Sequence, residues 1–242
     1  MKSIKITVGL IVMLSACQTK TSKNQMNKPI AQKNPVTLTT AGHERVDNYF
    51  WLNERENPKV IAYLEAENAY TKEVMRDTED FQKQLFTEIT SRIKQDDQSV
   101  PYFKNGYFYY SRYEQGGEYP VYCRRKGNMN ATEEVMLDGN KMAQGHPFFH
   151  IGNYEVSPDN RTLAYCLDTV GRRLYTIMFK DLQTEKTVGD VISGTTGSMA
   201  WADDNKTLFY TLKNPETLRS EKLMAHCRDN AHPDFLIYHE KD

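Results

Sequence analysis

The ten residues VSPDNRTLAY at positions 156–165 return as WADDNKTLFY at positions 201–210. Asp159, Asn160, Thr162, Leu163 and Tyr165 recur as Asp204, Asn205, Thr207, Leu208 and Tyr210, each offset by 45 residues. Asp-Asn is turn chemistry, because short polar side chains bond nearby backbone and tolerate left-handed φ. The Thr-Leu-X-Tyr behind it has strand character. A hairpin rewritten at this period constrains the fold more than any other feature of the chain. Units of four strands in about 40–45 residues are the mark of β-propeller blades.

The surrounding sequence fills out such units. From Val100 onward, short β-prone runs alternate with turn signals. The first group is VPYFK, YFYYSRY, YPVYCRR and EEVMLD, with Asn105-Gly106 as a strong hairpin signal between the first two runs. The second is FFHIGNYEV, TLAYCLD, RRLYTIMFKD and KTVGDVI, and the third is GSMAW, TLFYTL, EKLMAHC and DFLIYHE. Each group is expected to hold four separate strands. The first matches the repeat more loosely, with NGYFYY in the corresponding hairpin. An antiparallel sandwich with accidental self-similarity is the rival reading, and five identities at one offset weigh against it. A propeller closes with about 4 to 8 blades. Three blades would leave open inter-blade faces, so the chain is expected to be the front part of something longer.

Ahead of the strands, residues 57–95 read as two amphipathic helices. Asn57 is placed to cap the first and Pro58 suits its first turn. Val60, Ile61, Leu64, Val74 and Met75 form its apolar stripe. Asp77 or Thr78 is expected to cap the second, in which Phe81, Leu85, Ile89 and Ile93 recur every four residues. Both stripes require a partner surface.

The N-terminus, MKSIKITVGLIVMLSACQTK, has a basic start, a short apolar run and small residues before Cys17. That is the pattern of an export signal, and the apolar run falls short of the ~20 residues that span a bilayer. Leu14-Ser15-Ala16-Cys17 resembles a bacterial lipobox, which makes Cys17 the candidate lipidation site. An ordinary signal peptide with an incidental Cys is the alternative. Residues 18–36 are a polar tether. The expected organisation is thus a signal at 1–17, a tether at 18–36, a helical leading segment at 37–97 and three blades at 98–242. Gln18 favours the outer membrane, so the expected location is exported and membrane-attached through the lipid alone.

Chemistry is sparse. A net charge of −1 without long runs of one sign argues against a nucleic-acid groove. No G-x-S-x-G, G-x-G-x-x-G, P-loop or H-E-x-x-H occurs. His146 and His150 are four apart, but Pro147 makes a helix between them improbable and nothing nearby completes a metal set. His226, His232 and His239 flank strands and show no ligand spacing. Asp96-Asp97 reads as a solvated linker, and Trp51 and Trp201 as packing anchors. Cys123, Cys166 and Cys227 all fall within expected strands, where a small core residue is the plain reading and one disulfide the alternative. No catalytic, cofactor or metal-ligating set is expected in these residues.

Longer strings carry a resemblance. HERVDNYFWLNERENPKVIAYLEAENAYT at 43–71 resembles the leading segment of the prolyl oligopeptidase family of serine peptidases. SVPYFKNGYFYYSRYEQGGEYPVYCRRKG at 99–127 is similar to the first blade of its oligopeptidase B branch, and EVSPDNRTLAYCLDTVGRR and AWADDNKTLFYTLKNPETLR follow that branch. The resemblance covers about residues 36–242. It implies a seven-bladed propeller over an α/β-hydrolase domain, a Ser-Asp-His triad and cleavage of short peptides after Lys or Arg. All three triad residues would lie beyond residue 242, so none transfers to this chain. The fold expected is mainly β: a three-blade part of a seven-bladed propeller, preceded by two helices that pack on the hydrolase domain. The lipobox departs from the branch, which is typically cytosolic. A non-catalytic propeller lipoprotein that binds peptides or protein partners is the alternative function.

Overall fold

A computed structural model describes residues 27–228 and 232–241. The chain divides into two compact units, one running to Arg92 and one starting at Ile93.

The first unit opens with a hairpin that the helical reading of 37–97 did not include. Strands β1 (Val36–Thr40) and β2 (His43–Asp47) pair antiparallel across Ala41-Gly42. Both turn residues have positive φ, the backbone that a two-residue hairpin turn demands. Trp51 is buried, and its indole N–H donates to the Gln32 carbonyl at 2.9 Å. Helix α1 (Pro58–Met75) starts as its sequence requires: the Asn57 side chain accepts from the Lys59 amide at 2.9 Å, and Pro58 sits in the first turn.

Helix α2 (Glu79–Ser91) does not begin with a side-chain cap. The chain leaves α1 through a single 3-10 turn, Arg76–Thr78, so Thr78 already has right-handed helical dihedrals. Its hydroxyl donates back to the Met75 carbonyl and accepts only the Gln82 side-chain amide, so it caps no backbone amide of the new helix. A cap needs an extended residue whose side chain faces forward, and continuing helical backbone denies Thr78 that role. Asn57→Ala is therefore expected to cost about 1 kcal/mol, whereas Thr78→Ala should stay within about 0.5 kcal/mol. Urea unfolding of the two variants tests the contrast; equal losses would contradict it. Val60 is buried, but Ile61, Leu64, Val74 and Met75 of α1 and Phe81, Leu85, Phe86 and Ile89 of α2 are exposed.

The second unit is all β apart from one short turn of helix. Strands β3 (Tyr102–Lys104), β4 (Tyr107–Arg112), β5 (Val121–Lys126) and β6 (Glu133–Asp138) form a four-stranded antiparallel meander. Helix α3 (Gly139–Met142) then leads to β7 (His150–Val156), β8 (Thr162–Asp168), β9 (Tyr175–Asp181), β10 (Thr187–Trp201), β11 (Thr207–Lys213), β12 (Ser220–Cys227) and β13 (Phe235–His239). These seven pair in sequence order as one sheet.

The second and third groups therefore do not have eight separate strands. KTVGDVI and GSMAW, expected as two, are the halves of the 15-residue β10. Its first half pairs with β9 and its second with β11, and Thr195 is opposite both Tyr175 and Leu212. The register slips at three places along it, and Gly194 and Gly197, with positive φ, supply kinks no other residue would take without strain. β10 is thus the fourth strand of one blade and the first of the next, bent rather than broken between them.

Apolar layers lie between successive blades. Tyr109, Met136 and Leu137 of the first pack with Phe149, Ile151, Val156, Leu163 and Tyr165 of the second. Ala164, Cys166, Ile177 and Phe179 of the second pack with Met199, Leu208 and Tyr210 of the third. The unit is an arc of three propeller blades.

Candidate functional site

The repeated turn links blade to blade. Asn105, Asn160 and Asn205 hold the same hairpin position in the three blades, each with left-handed φ of 48°, 63° and 61°. The Asn160 side-chain amide donates to the Asn105 carbonyl at 3.0 Å, and Asn205 Oδ1 accepts the Asp159 amide at 2.7 Å. Each hairpin tip thus bonds to its neighbour's. Behind the tips, Tyr110, Tyr165 and Tyr210 are equally buried. A buried phenol needs an acceptor, and in two blades the fourth-strand region supplies a carboxylate: Tyr110 donates to Glu133 at 2.6 Å and Tyr210 to Asp234 at 2.5 Å.

Between the first two blades the tips border a cleft of about 550 Å³, lined by Asn105, Tyr107, Arg124, Lys126, Glu134 and Arg161 among others. Arg124 is the buried charge of this cleft. Its Nε donates to Glu134 at 2.7 Å and its Nη1 to the Asn160 carbonyl at 2.9 Å, and its guanidinium lies 4.2 Å from the Tyr107 ring centre. These contacts use it to fix the second hairpin against the first blade.

Glu133 gathers a second cluster. It accepts from Tyr110 and from Arg112 Nη2 at 3.0 Å, and Arg125 Nη2 lies 3.6 Å away. Burial pushes its carboxyl up, but Tyr110, Arg112 and Arg125 outweigh that and hold it below the usual range. A carboxylate whose folded pKa is depressed stabilises the fold above its unfolded pKa, about 4.3 for Glu. That stability is lost as pH falls through the lower folded value. Glu133→Gln should therefore flatten the acid limb of the urea midpoint against pH, leaving slopes above pH ~6 unchanged; an unaltered acid limb would refute it.

The residues singled out from sequence fall as follows. Cys17 lies outside the described residues. Cys123 and Cys166 are fully buried free thiols, pushed by burial to about 12 and about 11, which suits packing rather than nucleophilic attack. Cys227 is also free and ends β12. His146 sits in a turn and His150 starts β7, where its Nδ1 is 3.1 Å from the Tyr175 hydroxyl. Asp96 and Asp97 are exposed, and Lys94 lies 3.8 Å from Asp97. Trp201 donates to the Glu155 carbonyl at 3.0 Å, across a blade boundary.

Sequence reasoning missed one constellation. His226, on β12, is buried and accepts company from two aspartates: Asp234 Oδ1 is 2.8 Å from Nδ1, and Asp190 Oδ2 is 3.7 Å from Nε2. His226 and Asp234 form the base half of a hydrolytic triad in outline, but among the described residues none bonds Nε2, so none of them is poised on it as a nucleophile. Among the described residues no three metal-ligating side chains are already gathered around one point, and no helix is long and apolar enough to cross a membrane.

The family described as prolyl oligopeptidase, N-terminal β-propeller domain, matches residues 28–242. The chain belongs to that family. A dipeptidyl aminopeptidase BI of Pseudoxanthomonas mexicana is 40% identical to it, covering 100% of this chain and 36% of the relative. Protease 2 of Moraxella lacunata is 34% identical over 90% of this chain and 32% of its own length. Among solved structures, oligopeptidase B from Leishmania major superposes with a TM-score of 0.81 at 33% identity, covering 90% of this chain and 33% of that one. Oligopeptidase B from Trypanosoma brucei, with antipain covalently bound, gives 0.78 at 28% identity. The chain spans about a third of the length of these relatives, and its three-blade arc corresponds to their N-terminal part.

Proposed function

We propose that this chain is the propeller-bearing N-terminal part of an oligopeptidase B-like serine endopeptidase, which hydrolyses short peptides after Lys or Arg. Its blades restrict access to the catalytic centre. Its two helices dock a C-terminal α/β-hydrolase domain that supplies the Ser-Asp-His triad. The protein is exported and held at the membrane through lipid on Cys17. The observation that carries this reading is the exposed apolar face of α1 and α2, in a chain whose family match runs from residue 28 to 242. Apolar residues exposed together along two consecutive helices mark a surface that another body covers. A peptide-binding propeller without a catalytic partner has no use for them.

The 40%-identical relative is named a dipeptidyl aminopeptidase, so the test uses two substrates. The gene's complete product is assayed on an internally quenched peptide with one Arg and on a dipeptide fluorogen, beside residues 27–242 alone. Turnover of the Arg peptide by the complete product, blocked by an active-site serine reagent, with none by the shorter chain, is the expected result. Dipeptide release alone would replace the endopeptidase assignment, and turnover by residues 27–242 would overturn the proposal.

A further inference from the structure

We infer that His226 and Asp190 are the two preset ligands of a divalent transition-metal site, of the zinc class, at the boundary of the second and third blades. The inference stands independently of the peptidase reading.

Asp234 Oδ2 accepts from Tyr210, and its Oδ1, 2.8 Å from His226 Nδ1, is placed to accept from that nitrogen. In the neutral ring this tautomer places the lone pair on Nε2. The ring is stacked 5.5 Å from Phe179 and held by Asp234, so the lone pair has one fixed direction. It is buried and, among the described residues, has no hydrogen-bond partner. A buried polar atom left so destabilises the fold, and a ligand at this point would offset that.

His226 also lines a cleft of about 480 Å³, together with Asp190, Ser193, His232 and Asp234. Asp190 Oδ2 is 3.7 Å from Nε2, beyond hydrogen-bond length. Two ligands each about 2.0–2.2 Å from a tetrahedral zinc ion lie about 3.3–3.6 Å apart. The observed separation is thus close to that of a pair with a metal between them. Asp234 fills the outer position, since a histidine ligand commonly gives its other N–H to a carboxylate that fixes its tautomer. His232, on the same cleft wall, is the third candidate ligand. Asp190 comes from β10, His226 from β12, and Asp234 from just before β13. A metal here would tie the long shared strand to the third blade.

The test is titration of the metal-stripped chain with Zn²⁺ by calorimetry and with Co²⁺ by visible absorption. One ion per chain is expected, with a Co²⁺ spectrum free of thiolate bands. Asp190→Asn and His226→Gln should each weaken binding by about tenfold or more. The Asp190 side chain is 64% exposed, so its substitution leaves folding intact even if loss of buried His226 does not. No stoichiometric binding, unchanged affinity in Asp190→Asn, or a thiolate band placing the metal on cysteine would each overturn the site.

Discussion

Phe179→Ala is expected to lower the unfolding free energy of the β-rich unit by about 3–5 kcal/mol. Phe179 is fully buried on β9 of the second blade. Its neighbours belong largely to the third: Trp201 edge-on at 5.9 Å, the His226 ring stacked at 5.5 Å and the Arg228 guanidinium 5.3 Å from its centre. Removing the ring opens a cavity in the layer between blades. It also strips the apolar face from an imidazole and a guanidinium that have few other buried partners. Among the described residues, the Arg228 guanidinium keeps its 2.7 Å bond to Thr162 and its weaker contact with Trp201. Chemical unfolding monitored by far-UV circular dichroism measures the loss, with Phe148→Ala, at a half-exposed ring, as the control. A loss below about 1 kcal/mol would mean that these blades are not joined through this layer.

Asp168→Ala should cost about 2–4 kcal/mol, the loss of several charge-assisted bonds at a buried position. Asp168 ends β8 and is 2% exposed. Its Oδ1 accepts the amides of Val170 and Gly171, each at 2.9 Å, and its Oδ2 accepts that of Arg173 at 2.7 Å. One carboxylate thus closes the connection from β8 to β9 and holds Arg173 in left-handed backbone. Burial pushes the Asp168 carboxyl up, but the three amides outweigh it and bring it below the usual range. Its contribution is therefore complete above the unfolded Asp value of about 3.9 and fades as pH falls through the lower folded one. Asp168→Asn should recover part of the loss at neutral pH, because its oxygen still accepts. Equal stability of wild type and Asp168→Ala at pH 7, read from urea midpoints, would sink the argument.

Much of this fold was legible because its signals are local. The Asp-Asn turn, the period-two strands and the cap at Asn57 depend on residues within a few positions of one another. Tyr165 and Tyr210 were readable as equivalent, and Tyr110 joins them once the strands are laid side by side. Thr78 misled because a cap depends on where the preceding helix stops, and α1 runs on into a 3-10 turn. KTVGDVI and GSMAW were expected as separate strands, but Gly194 and Gly197 bend β10 without ending it.

By itself the sequence determined a hairpin with one purpose, written at a blade's spacing, and helices with apolar faces; near-neighbour chemistry sets all of these. Only the tertiary structure decided that the hairpin's asparagines bond across blades and that two blades share one strand. Only it brought Asp190, 36 positions from His226, to the imidazole's open edge. Those facts depend on how far one blade turns against the next, a sum of packing over whole layers that no short run of residues records.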